Sequence, residues 1–160
     1  KADYADKLYS TSYIFAYMQF KFQVSAQVGI GQVNNFRSAE MYLIEAEANC
    51  HLGNKDTETQ NLLIELNRTS GRNTAYTCTK TGDELLEEVK LYRRIELWGE
   101  GFDWFDYKRW KESIVRKSYP EGSFHVQFAV TIAPDDNNYW TWVYPAKEID
   151  YNEDISSSVE

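Results

Sequence analysis

The chain has 160 residues, a formal charge of −8 and a mean hydropathy of −0.61. That length suits one domain with a real core, while the negative charge repels nucleic acid and no Lys/Arg run reverses it locally. No apolar segment approaches the roughly 18 residues of a membrane span. The chain opens at Lys1 without a charged-then-apolar leader, and the missing initiator Met raises the expectation of a piece of a longer polypeptide.

Residues 1–35 read as an extended, strand-rich lead-in. Phe20, Phe22 and Val24 alternate with polar residues, the pattern of a half-buried strand. Gly29, Gly31, Asn34 and Asn35 then mark a turn.

Residues 36–112 read as helical pairs. In FRSAEMYLIEAEANCHLGN, Ala39, Leu43, Ala46 and Cys50 form one apolar stripe, and Met41, Ile44, Ala48 and Leu52 form a second. A helix apolar on two faces touches neighbours on both sides. Gly53-Asn54 supplies its stop. A second helix over about 56–68 carries Leu62, Leu63 and Leu66, and a polar loop over 70–82 follows. Thr81-Gly-Asp-Glu84 has the form of a capping box, with Thr81 as N-cap.

The helix begun there runs into LYRRIELWGEGFDWFDYKRW, residues 91–110, the densest collection of rings and charges in the chain. Leu91, Ile95, Trp98, Phe102 and Phe105 recur at helical spacing and are expected to bury, with a break at Gly99 and Gly101 and a short helix over about 102–112. On that reading, Trp98→Ala or Phe105→Ala costs about 3–5 kcal/mol. Arg93 with Glu96 and Asp106 with Arg109 read as i, i+3 pairs.

After Lys117 the helical period stops. Residues 123–134 alternate like a strand, and the aromatic, then acidic tail reads as a strand or extended wrap with a frayed end. Cys50 and Cys78 are too few for a disulfide scaffold or zinc site, and Cys50, in an apolar helical pattern, reads as a buried free thiol. His51 and His125 are isolated, so neither metal nor cofactor is expected.

Two helix pairs, near 36–70 and 82–112, resemble tetratricopeptide-like units, which are rarely stable in fewer than three copies. The likeness goes further. FRSAEMYLIEAEANCHLGN resembles the RxAExYLxxAEAxxxxGN helix of the SusD/RagB family. YRRIELWGEGFDWFDYKRW resembles its ERRxELxxEGxRxxDLxRW block, and YPAKEIDYNEDI its closing PxxEIxxNP segment. The three segments stand in the family's order over residues 36–155, with Tyr92, Asp103 and Glu153 where the family often has Glu, Arg and Pro.

The resemblance implies a mainly α fold, an α-α superhelix of helix pairs with flanking extended segments. Residues 1–160 would form one region, the carboxyl-terminal part of a longer domain, with 113–160 as strand and tail. It also implies a surface lipoprotein of the bacterial outer membrane, anchored by lipid outside this chain, that captures glycans and passes them to a TonB-dependent transporter.

Sugar-ring capture requires exposed aromatic faces beside hydroxyl-bonding groups. Tyr139, Trp140 and Trp142, which follow the polar run 135–138, are the candidate contacts. Two alternatives are a helical-repeat scaffold for protein docking and capture of a non-glycan nutrient such as peptide. A glycosidase needs two carboxylates about 5–9.5 Å apart across a cleft. Glu96 and Glu100 are one turn apart on the same helix, as are Asp103 and Asp106, and no Gly-x-Ser-x-Gly, phosphate loop or HExxH is present. No catalytic residue is expected.

Overall fold

The computed structural model describes Lys21, residues 36–70 and 73–141, and Tyr151. The expected strand-rich lead-in, with its alternation at Phe20, Phe22 and Val24, and the tail beyond Thr141 lie outside the described residues, apart from Lys21 and Tyr151.

The described part is mainly helical. Helices α1 (Ser38–Leu52), α2 (Asp56–Ser70), α3 (Gly82–Glu96) and α4 (Phe102–Trp110) come first. A two-stranded ladder of β1 (Ile114–Val115) and β2 (Thr131–Ile132) follows, and the one-turn helix α5 (Asn137–Trp140) closes the described chain. In the ladder, Ile114 lies opposite Ile132 and Val115 opposite Thr131, antiparallel.

The turn between α1 and α2 needs left-handed backbone at two successive residues, Gly53 (φ 71°) and Asn54 (φ 58°), the two residue types that tolerate it best. The antiparallel hairpin that results packs α1 on α2, and α1 also packs on α3. Between these three helices lies the core of Leu43, Ala46, Leu63, Leu66, Leu85 and Val89, with Cys78 and Leu97 closing its edges. Each large aliphatic side chain buried there contributes about 1.5–3 kcal/mol.

Only the first expected stripe of α1 turns inward. Met41, Ile44 and Leu52 on the second face are exposed, so α1 has neighbours among the described residues on one side only. Of the expected core stripe of the 91–110 stretch, Phe102 packs against the core, but the other four members are exposed. Trp98 is 45 % and Phe105 66 % exposed, and Leu91 and Ile95 face outward with them. Leu91 and Ile95 precede any break and sit on the outward face of α3, and beyond them the left-handed backbone at Gly99 (φ 76°) and Gly101 (φ 88°) turns the chain between α3 and α4. A stripe extrapolated through that turn does not remain on one face. The buried face of α3 runs instead through Leu85, Val89, Arg93 and Glu96.

The capping box at Thr81 does not form either. Thr81 has the extended backbone of an N-cap, but its side chain makes no capping bond. The Gly82 N–H instead donates to the Asp56 carboxylate at 3.2 Å, tying the first turn of α3 to that of α2. Residues 123–134 are not one strand: a 3-10 turn at Val126–Phe128 interrupts them, leaving an isolated bridge at Phe124 and the short strand Thr131–Ile132. Both cysteines are free thiols, Cys78 buried and Cys50 half-buried against the core. Burial pushes the Cys50 thiol above its usual pKa.

Candidate functional site

Three of the four carboxylates of the 91–110 stretch, Glu96, Glu100 and Asp106, are engaged by cations, mostly from distant parts of the chain. Asp106, nearly fully buried, accepts from Arg93 Nε at 2.6 Å and from Arg109 Nε at 2.8 Å. Glu47 of α1, also buried, accepts from Arg109 Nη2 at 2.7 Å and from the Trp110 indole N–H at 2.7 Å. An ionic staple therefore runs from α3 through α4 to α1, joining elements up to 63 residues apart.

A second staple lies at the end of α3. Arg37, just before α1, pairs with both Glu96 and Glu100 and donates to the Glu96 carbonyl at 2.9 Å. Lys21 pairs with Glu100 and donates to the carbonyls of Glu96 and Trp98 at 2.7 and 2.9 Å. Glu112, after α4, is held by Lys90 at 2.7 Å and by Arg94. Cations also lie over the rings: Arg94 is 4.6 Å from the Tyr107 centroid, and Arg109 4.7 Å from that of Trp110. The Asp106–Arg109 pair expected from spacing is present, but Arg93 bonds Asp106 rather than Glu96.

The electrostatics follow this geometry. Burial opposes ionisation of Glu47, yet the bonds from Arg109 and Trp110 outweigh it and hold the carboxyl below the usual range. Burial also opposes Glu100, where Lys21 and Arg37 prevail, and Glu112, where Lys90 and Arg94 prevail. Arg109 is raised, first through its bond to Glu47. Asp103 moves the other way: burial lifts its carboxyl, and Asp106 adds to the rise while Arg94 and Arg93 oppose it.

A raised carboxyl is one ingredient of acid catalysis. A glycosidase also requires a second, ionised carboxylate facing it across a cleft. The buried neighbour, Asp106, stands one turn along the same helix and already accepts from two arginines. The groove of ≈ 360 Å³ beside the staple is walled by Ile44, Ala48 and His51 with Arg93, Arg109 and Glu47, and Glu47 is bonded to Arg109 and Trp110. This chemistry holds helices in place. Among the described residues, no group of His, Cys, Asp and Glu is arranged to hold a metal ion, and no helix is long and apolar enough to cross a membrane.

The expected ligand contacts separate. Tyr139, on α5, is 52 % exposed. Trp140 is only 3 % exposed: its ring packs on Trp104 with centroids 4.8 Å apart, and its indole N–H donates to the Ala133 carbonyl at 2.5 Å. Lys108 Nζ bonds the Trp140 carbonyl at 3.1 Å, fixing the turn to α4. Trp140 thus serves as a peg that seats α5 while Tyr139 faces outward. Trp142 lies outside the described residues. Sequence reading missed the long-range ionic staples. The only local sign of them was an unusual density of Arg, Glu and Asp among apolar residues.

Comparison with known proteins agrees with the motifs. The SusD family matches the chain over residues 2–158. A solved SusD-like carbohydrate binding protein from Bacteroides vulgatus ATCC 8482 is similar at 39 % identity, with a TM-score of 0.46, over 61 % of this chain and 21 % of that one. The chain thus spans about a fifth of that protein's length. No curated protein matches. With nearly the whole sequence covered by one family, the chain belongs to the SusD family.

Proposed function

We propose that this chain is part of a non-catalytic glycan-capture protein of the bacterial outer membrane, displayed at the cell surface beside a TonB-dependent transporter that imports the glycan. Residues 1–160 would be the carboxyl-terminal part of a longer SusD-like domain. The observation that carries this reading is the family match over residues 2–158. The engagement of Glu96, Glu100 and Asp106 by Arg and Lys supports binding without cleavage. Within the described residues, the exposed ring of Tyr139 is the expected contact that remains open to a sugar face, and Trp142, outside the described residues, is proposed as a further contact.

The test is native affinity electrophoresis of the chain in gels containing soluble starch, xyloglucan, arabinoxylan or pectic galactan. Retardation in one gel, weakened by Tyr139→Ala, is the expected outcome. Migration unchanged in every gel contradicts the proposal. A docking role, on the transporter or another protein, is favoured by one observation: the exposed apolar face of α1 formed by Met41, Ile44 and Leu52. Co-purification with the transporter that is lost in Ile44→Glu, with glycan binding intact, would assign that face to docking.

A further inference from the structure

Between β1 and β2 the chain makes an excursion, residues 116–130, closed on itself by main-chain bonds. Arg116 N–H donates to Val130 O at 2.8 Å, Gly122 N–H to Ser118 O at 2.8 Å, and Phe124 N–H to Lys117 O at 3.2 Å. Phe128 N–H donates to His125 O at 2.8 Å. The fold is tight enough that a Cβ on Gly122 would lie 2.2 Å from the Lys117 carbonyl oxygen. A parallel backbone bridge pairs Ser118 with Phe124.

A loop so well tied would ordinarily turn its rings inward, yet these face solvent. Tyr119 is 86 % and Phe128 61 % exposed, and Phe124 is exposed with them. Two of the rings have supporting neighbours: the His125 and Phe128 rings meet edge to face with centroids 6.4 Å apart, and the Arg116 guanidinium lies over the Phe124 ring, 5.5 Å from its centroid. Hydrogen-bonding side chains alternate with the rings along the sequence, Ser118 before Tyr119, Ser123 and His125 around Phe124, and Gln127 before Phe128.

The centre of a protein–protein interface is depleted of Lys, Glu and Ser, whereas this loop carries Lys117, Ser118, Glu121 and Ser123. Here rings stand in fixed positions with hydroxyl, imidazole, amide and guanidinium groups between them, which suits a chain of hexopyranose units. Its C–H faces can lie on the rings while its hydroxyls bond the groups between. Resting on the glycan-capture reading above, we infer that residues 116–130 are a second glycan-contacting platform, separate in sequence from Tyr139, where the exposed rings of Tyr119, Phe124 and Phe128 stack on sugar faces.

The experiment is affinity electrophoresis of the full chain in gels of soluble starch, xyloglucan, arabinoxylan and pectic galactan, with Tyr119→Ala, Phe128→Ala, Phe128→Leu and the double variant Tyr119→Ala/Phe128→Ala, each checked for an unchanged Tm. Each alanine is expected to weaken binding about two- to tenfold, the worth of one ring contact. Phe128→Leu keeps apolar bulk without a ring, and should lose as much as Phe128→Ala. If the parent binds and the double variant binds equally well, the platform is refuted while glycan capture stands. If Phe128→Leu binds like the parent, ring stacking is refuted. A parent retarded by none of the four glycans overturns both readings.

Discussion

Asp106→Ala isolates the ionic staple at its most buried point. Asp106 is the shared acceptor of Arg93 and Arg109, and Arg93 and Asp106 are both nearly inaccessible. Removing the carboxylate leaves the Arg93 guanidinium buried without its counter-charge, a change that costs about 3–5 kcal/mol in comparable pairs. Alanine's better helix propensity returns at most about 0.7 kcal/mol. For a chain of this size each kcal/mol lowers Tm by roughly 2–4 °C, so a fall of about 6–20 °C is expected by calorimetry or thermal circular dichroism. The double variant Arg93→Leu/Asp106→Leu removes both charges and should be less destabilised than Asp106→Ala alone, because no orphaned cation remains. An Asp106→Ala protein within about 1 kcal/mol of the parent would refute the staple as a source of stability.

Other perturbations probe neighbouring parts of the same account. Phe105→Ala should cost below about 1 kcal/mol, since its ring is mostly in water already, whereas Leu85→Ala, in the closed core, should cost about 2–5 kcal/mol in denaturant melts. Gly101→Ala should cost about 1–2 kcal/mol through its left-handed backbone alone, because nothing lies within 4 Å of the added Cβ. Acid should destabilise the fold. Glu47, Glu88, Glu100 and Glu112 all have folded pKa values below their unfolded ones, so their stabilisation is complete above the unfolded value of about 4.3 and is lost as pH falls through the folded values. Asp103, raised on folding, has the opposite sign: its contribution is present in acid and lost as pH rises through its folded value. A Tm that is level from neutral pH to about 5 and then drops is the expected profile, and a Tm that rises on acidification below pH 4 would contradict it.

The order and limits of the helices were readable from periodicity and punctuation. Gly53-Asn54, and the glycine pair around Glu100, stop helices where the sequence places those stops. The inward stripe of α1, through Leu43 and Ala46, was also legible because it stays within one uninterrupted helix. The stripe through Trp98 and Phe105 misled twice: within α3 the inward face runs through Leu85, Val89, Arg93 and Glu96 rather than Leu91 and Ile95, and beyond it the stripe crossed Gly99 and Gly101, where the chain turns. Charges misled for a different reason. Local spacing reveals i, i+3 neighbours such as Asp106 and Arg109, but it carries no information on partners such as Glu47 and Arg109, 62 residues apart. Thr81 shows the same limit at a helix end: a well-formed local cap gave way to Asp56, a competing carboxylate brought in by the tertiary fold.

Of the expected ligand contacts, the sequence identified an aromatic cluster without separating its roles. Period-two spacing suited a strand, which would put Trp140 and Trp142 on one face, but α5 seats Trp140 inward against Trp104 and turns Tyr139 to solvent. The rings of 116–130 escaped notice because alternation there imitates a strand, and exposure is a property of the folded chain alone.

The acids among these rings bind helices together and perform no chemistry on a sugar, and an assay for released reducing ends distinguishes the two roles. Purified chain is incubated with soluble starch, xyloglucan, arabinoxylan and pectic galactan, and reducing sugar is followed over a day. The account predicts no release above a protein-free control from any of the four. Release that disappears in Glu96→Gln, Glu100→Gln or Asp103→Asn, with the variant still folded, would contradict it.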